Sequence, residues 1–206
     1  MSPELAALVV HDLKNELGAL EASLERLAHV HPHSEPAQQS RHLCSELRQR
    51  FVQFLALYGR NGNLYVHAID ESPAELLAAV RANACRGRPD LRIRVVHDAS
   101  VSSPPFWFMD QRLVRMALDA AMHNALRFAS SEVQLSAFVD QHWLVFRIDD
   151  DGPGPSALAP EGPHATGLGT ALCHAVAQAH RSGGQAGNVS LSHRPGGGAR
   201  FELRLA

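Results

Sequence analysis

The sequence predicts an α+β protein in two parts. An N-terminal antiparallel helical hairpin, which completes a four-helix bundle in a homodimer, precedes a two-layer α/β sandwich. Three observations predict this. Leu13, Leu17, Leu20, Leu24 and Leu27 recur at spacings of four, three, four and three, the seam of a helix that packs on other helices. The run from Gly59 to Asn63, with two glycines and two asparagines, is a flexible break. Beyond it, short alternating stretches and hairpin signals are interspersed with helical ones, a layered α/β pattern.

Composition sets bounds. The 206 residues accommodate one or two domains, and with 45% hydrophobic and 19% charged residues the chain buries a core. A net charge of −2 gives no bulk attraction to nucleic acid or to an anionic membrane. Cys44, Cys85 and Cys173 are far apart and form no CxxC pair, so reduced thiols and a cytoplasmic location are expected. No apolar run approaches the roughly 20 residues needed to span a bilayer, and the N-terminus lacks a signal-peptide pattern. Arginine outnumbers lysine 18 to 1, and the one lysine is Lys14.

In order, the first helix runs from residue 3 to about 29, with Ser2 as its cap and Pro3 at its first position. Pro32 and Pro36 break it. A second helix covers 36–58, with Leu43, Leu47, Phe54 and Leu57 on one stripe flanked by Phe51. Two helices cover their apolar stripes poorly, so a second hairpin from a partner chain is expected. Residues 60–63 are a linker. Residues 64–69 alternate like a strand. Ser72 caps a helix that starts at Pro73 and ends near Gly87, with Glu75 completing the cap. Strands follow at 91–96 and 106–109, a helix at 110–128, and a hairpin of 133–139 and 143–148 turning at Asp140 and Gln141. A helix over 167–180 and a closing hairpin of 189–192 and 200–205 complete the chain.

Chemistry-bearing residues punctuate this frame. His11 is followed by Asp12 and, one turn later, Asn15. At about 100° per residue, His11 and Asn15 fall opposite the leucine seam, on the solvent face. Such a histidine is placed to react with something that docks there; the plain alternative is an ordinary polar face. After the strand ending at Ile148 come Asp149, Asp150, Asp151, Gly152, Pro153 and Gly154. A strand-end carboxylate can accept an exocyclic amine, and the glycines let backbone approach a ligand; an acidic surface turn has the same composition. Thr166, Gly167, Leu168 and Gly169 lead into a helix, either as a phosphate cradle or as an ordinary cap. Asn124 shares a stripe with Leu113, Ala117 and Ala120 and is either a satisfied buried amide or a ligand group. Arg127 can reach a phosphate, and Phe128 either stacks on a base or packs in the core.

Taken in order, these motifs, together with the run from Gly196 to Phe201, resemble the sensor histidine kinases of two-component systems over almost the whole chain. His11 to Asn15 is similar to that family's phosphoacceptor box, Ala120 to Phe128 to its N box, and Asp150 to Gly154 and Thr166 to Gly169 to its two glycine boxes. The resemblance implies a dimerisation and phosphotransfer hairpin over 1–59 and a Bergerat-type ATP-binding domain over 64–206. It implies that His11 accepts the ATP γ-phosphate with Asp12 taking the ring proton, and that the group passes to an aspartate on the receiver domain of a response regulator. Asn15 matches the position that serves regulator dephosphorylation. Asn124 would bind Mg²⁺, Arg127 the phosphates and Phe128 the adenine ring. Asp150 would read the adenine amine; Gly152, Gly154, Thr166, Gly167, Leu168 and Gly169 would wrap the nucleotide.

Departures from the family pattern leave a runner-up. Ala120 stands where the family usually has a further Asn, Ala165 where it has a glycine, and the stretch between Gly154 and Thr166 is short and carries Pro155, Pro160 and Pro163. A degenerate kinase that only shuttles phosphate through His11 between receiver domains fits these. A serine kinase or anti-sigma factor of the same ATPase fold would lack both His11 and the hairpin. If Met1 is the native start, no sensor domain precedes these two parts, and the input is expected from another protein or from a ligand that they bind.

Overall fold

The computed structural model describes residues 3–58, 64–96, 103–155 and 167–206; the side chains of 3–11, 57–58 and 86–87 fall outside that description. The expected Ser2 cap, the linker 60–63 and Thr166 therefore lie outside the described residues, as does the side chain of Leu57. The chain divides into two compact units, Met1–Gly59 and Arg60–Ala206.

The first unit is a hairpin of α1 (Pro3–Val30) and α2 (Glu35–Tyr58). Pro32 lies in the turn between them, and Ser34 accepts the Ala37 N–H at 3.4 Å as the cap of α2. Pro36 falls in the first turn of α2, where a missing N–H costs nothing. Gln38 Nε2 donates to the Ala28 carbonyl at 3.5 Å and Arg48 pairs with Glu21 at 2.5 Å, so the helices run antiparallel. Small residues make the close approach: Ala28, Ala37 and Cys44 are buried, with Gln53 the one buried polar side chain of this unit among the described residues. The leucine seam is not covered within the hairpin. Leu13, Leu20 and Leu27 are 42–49% exposed, and Leu43, Leu47 and Phe54 are 47–54% exposed.

The second unit is an α/β sandwich. Its sheet comprises β2 (Arg92–Val95), β4 (Glu132–Asp140), β5 (Trp143–Asp150), β8 (Asn188–His193) and β9 (Ala199–Leu205), in the order β2-β4-β5-β9-β8. Only the β2–β4 pairing is parallel; the rest are antiparallel. Helices α3 (Pro73–Gly87), α4 (Gln111–Phe128) and α5 (Leu168–Ala179) form the other layer. Leu76 and Val80 of α3, Val114 and Leu118 of α4 and Leu172 and Val176 of α5 are buried with Leu135, Phe146, Ile148 and Leu203 of the sheet. The three cysteines are free, and burial pushes the Cys173 thiol up to about 12, leaving it inert.

The caps explain the helix limits. Ser72 Oγ accepts the Glu75 N–H at 3.4 Å with Pro73 at the first position. Asp110 Oδ1 accepts the Leu113 N–H at 3.1 Å at the start of α4. The strand expected over 64–69 is a correction: only β1 (Ile69–Glu71) forms, paired with β3 (Trp107–Met109). The earlier residues have no partner strand; His67 instead donates its N–H to Asp110 Oδ2 at 3.0 Å. The β4–β5 turn falls at Gln141 and His142, one residue later than expected, with Gln141 at φ 58°. A two-residue hairpin, β6 (Arg181–Ser182) and β7 (Gln185–Ala186), turns at Gly183 and Gly184; it is too short for a periodic signal.

Candidate nucleotide site

The alternation of β5 gives three adjacent aspartates three different tasks. Asp149 points to the sheet face away from the helices, where it is also buried, and makes a two-point pair at 2.8 and 2.7 Å with Arg200, its neighbour on β9. Asp150 points to the helix face and is buried. Its Oδ1 accepts the N–H of Gly152 at 2.9 Å and of Ala199 at 3.3 Å. Asp151 turns back to the end of α4, accepting from the backbone of Ser130 and Ser131 at 2.9–3.0 Å and from the Ser131 hydroxyl at 2.6 Å. Burial raises the Asp151 carboxyl, but these bonds outweigh it and hold the group well below the usual carboxylate range.

The glycines after Asp150 are needed for close approach. A Cβ on Gly152 would stand 2.4 Å from the Phe128 carbonyl oxygen. Gly154 is at φ +84°, in the left-handed region, and a Cβ there would stand 2.9 Å from His193 Nδ1. The glycine loop is thus wedged between the last turn of α4 and the β8–β9 hairpin.

On α4, Asn124 is exposed, so the buried-amide alternative does not apply. Arg127 is exposed and Phe128 is half-buried, with the Arg127 guanidinium 5.2 Å from the Phe128 ring centroid. Ala120 is buried, 4% exposed. Gly167 caps α5 in the left-handed conformation, φ 68°, with no side-chain hydrogen bond at the cap. Leu168 and Gly169 open that helix, so its first N–H groups are uncapped by Gly167. The structure therefore brings Asp150, Gly152, Gly154 and Phe128 together at one end of the sheet. His11, Asp12 and Asn15 belong to the helical unit. His11 lies in α1, with its side chain outside the described residues, and Asp12 and Asn15 are exposed.

Sequence reasoning did not single out Arg194, Gly198 or Ala199 as neighbours of Asp150. Arg194 Nη1 donates to the Asp150 carbonyl at 3.5 Å. The signal available was the glycine run 196–198, all three at positive φ. His29, His31 and His33 are exposed around the α1–α2 turn. Among the described residues, no group of three or more His, Cys, Asp or Glu is arranged to hold a metal, and no helix is long and apolar enough to cross a membrane.

Comparison with known proteins bears on the same region. Residues 109–206 match the family described as histidine kinase-, DNA gyrase B- and HSP90-like ATPase. The signal transduction histidine-protein kinase AfsQ2 of Streptomyces coelicolor is 32% identical over 109 residues, covering 47% of this chain and 20% of that protein. Across the curated sensor kinases it matches, the chain spans only about a fifth to a quarter of their length, 20% to 24%. The ATP binding domain of PrrB from Mycobacterium tuberculosis is 31% identical, with a TM-score of 0.53, covering 67% of this chain and 96% of that domain. The Acinetobacter baumannii histidine kinase AdeS, 19% identical, shares the fold with a TM-score of 0.55 over 95% of this chain and 97% of its own.

Proposed function

The chain belongs, through its ATPase domain, to the sensor histidine kinases, and from that premise we propose that it phosphorylates its own His11 with ATP and passes the group to a response regulator. The His11 imidazole attacks the γ-phosphorus. The N–P bond forms as the bond to the β,γ-bridging oxygen breaks, ADP leaves, and the ring proton goes to Asp12. The phosphoryl group then moves to an aspartate of the regulator's receiver domain. Asn15 orients water against that phospho-aspartate in a separate phosphatase reaction, which hydrolyses it to aspartate and inorganic phosphate. Use of ATP sets the reaction in the cytoplasm.

Nucleotide is held in the second unit. Asp150 accepts the adenine amine, Phe128 covers the ring and Arg127 reaches the phosphates; Asn124 would hold Mg²⁺, which would neutralise phosphate charge. Gly152 and Gly154 admit the base, and the backbone from Thr166 through Gly167 and Leu168 to Gly169 receives the phosphates at the start of α5. Residues 1–59 form the dimerisation and phosphotransfer domain, two hairpins making a four-helix bundle. The exposed leucine seam supports that homodimer.

The observation that carries the reading is the Asp150 carboxylate, buried at the end of β5 and oriented by the Gly152 and Ala199 N–H groups. Calorimetric titration with a non-hydrolysable ATP analogue and Mg²⁺ tests it. Binding by the wild type and a measurable weakening of it, about tenfold or more, in Asp150→Asn are expected. One observation favours a second reading, a histidine phosphotransferase between receiver domains without ATP turnover: buried, apolar Ala120 stands one turn before Asn124. Absence of nucleotide binding by the wild type would put that reading ahead.

A further inference from the structure

The β8–β9 hairpin meets the Asp150 loop at several separate points. The Ala199 N–H reaches Asp150 Oδ1 at 3.3 Å, and Arg194 Nη1 reaches the Asp150 carbonyl at 3.5 Å. Gly198 lies against that same carbonyl: a Cβ there would stand 1.9 Å from its oxygen and 2.8 Å from its carbon. Gly198 is also at φ +99°, a conformation that L side chains rarely adopt. Its own carbonyl oxygen would be 3.1 Å from a Cβ on Gly154. The turn is fixed internally, with Arg194 N–H donating to Gly198 O at 3.0 Å and Gly197 N–H to Arg194 O at 3.1 Å. One residue away, the Arg200–Asp149 pair ties the same two strands.

A carboxylate oxygen held by two N–H groups from different segments has its rotation fixed, and with it the direction of the second oxygen. One of the two donors belongs to the hairpin. From this we propose that Gly198 and Arg194 are positioning residues for nucleotide binding, which seat the hairpin so that it aims the Asp150 carboxylate at the base. The inference rests on the reading of Asp150 as the base contact. It goes beyond that reading by assigning a role to two residues remote from it in sequence.

A purely structural glycine would lower stability without changing affinity in the folded protein. A positioning residue acts through Asp150, so its effect vanishes once Asp150 is altered. The test is a double-mutant cycle on the full chain. Gly198→Ala, Arg194→Met and Asp150→Asn, singly and with each of the first two combined with the third, are titrated with a non-hydrolysable ATP analogue and Mg²⁺ well below their melting temperatures. Gly198→Ala is expected to weaken binding about tenfold or more, and Arg194→Met by about threefold, the effect of one modest hydrogen bond. Neither should weaken it further in the Asp150→Asn background. Should Gly198→Ala fail to fold, Arg194→Met, whose side chain is only half-buried, carries the cycle alone. Loss in Asp150→Asn without loss in the hairpin variants, or losses that add, would overturn the inference alone. Wild-type affinity in Asp150→Asn would overturn the base-contact reading and the inference with it.

Discussion

Gly152 is pressed against Phe128 so closely that a methyl group on its Cα would lie 2.4 Å from the Phe128 carbonyl oxygen. This contact locks the glycine loop after β5 to the last turn of α4, which carries Asn124 and Phe128. Gly152→Ala must push the two apart. Overpacking of this kind costs about 1–3 kcal/mol. Chemical denaturation should show that loss, and calorimetry should show ATP-analogue affinity reduced by about tenfold or more, equivalent to about 1.4 kcal/mol.

Asp151 gives the C-terminal unit a defined acid sensitivity. Its carboxyl is depressed in the folded chain by hydrogen bonds from Ser131, Glu132 and Ser130 that outweigh its burial. A depressed folded value means stability that is complete above the unfolded carboxylate value, about 3.9, and lost as pH falls below it. Asp151→Asn should cost about 1 kcal/mol at pH 7 and progressively less as the pH drops below about 4. Urea unfolding at pH 7 and pH 3 checks this; an equal cost at both would contradict it.

His180 joins the end of α5 to the start of α4. Its Nε2 accepts the Asp110 N–H at 3.0 Å, so its Nδ1 carries the proton and donates to the Val176 carbonyl at 2.8 Å. Removing the buried ring leaves a buried N–H without an acceptor and a cavity. His180→Ala should cost about 2–4 kcal/mol. Nitrogen NMR of the ring should report the Nδ1–H form, and the Nε2–H form would refute the assignment.

The leucines left open on the hairpin carry the proposal of a homodimer. Leu20 and Leu47 are 49% and 54% exposed in one chain, and each buried leucine contributes about 1.5–3 kcal/mol. Light scattering at micromolar concentration should give twice the 22.4 kDa chain mass. Leu20→Asn with Leu47→Asn should shift the chain toward monomer. A wild-type monomer would sink the four-helix bundle.

Helices were legible because they are long, periodic and capped: Pro73–Gly87 begins where Ser72 and Pro73 say it must. The strands of the main sheet were legible from alternation. The stretch 64–69 alternates too, but alternation cannot reveal that no partner strand lies beside it. Of the three aspartates, the sequence could not say which caps Ser131, which pairs with Arg200 and which turns inward. That depends on strand parity and on β9 lying next to β5. The contact of Gly198 with Asp150 was hidden for the same reason, since it exists only once the strand order is set.

The most direct measurement is incubation of the chain with γ-labelled ATP and Mg²⁺, followed by mass-spectrometric mapping of the phosphate. An acid-labile, base-stable phosphoryl group on His11 is expected, absent in His11→Gln while ATP-analogue binding persists, and slowed about 10²–10⁴-fold in Asp12→Asn. Phosphate mapped to any other residue, or no labelling by a chain that binds the nucleotide, would contradict the assignment of His11 as the phosphoacceptor.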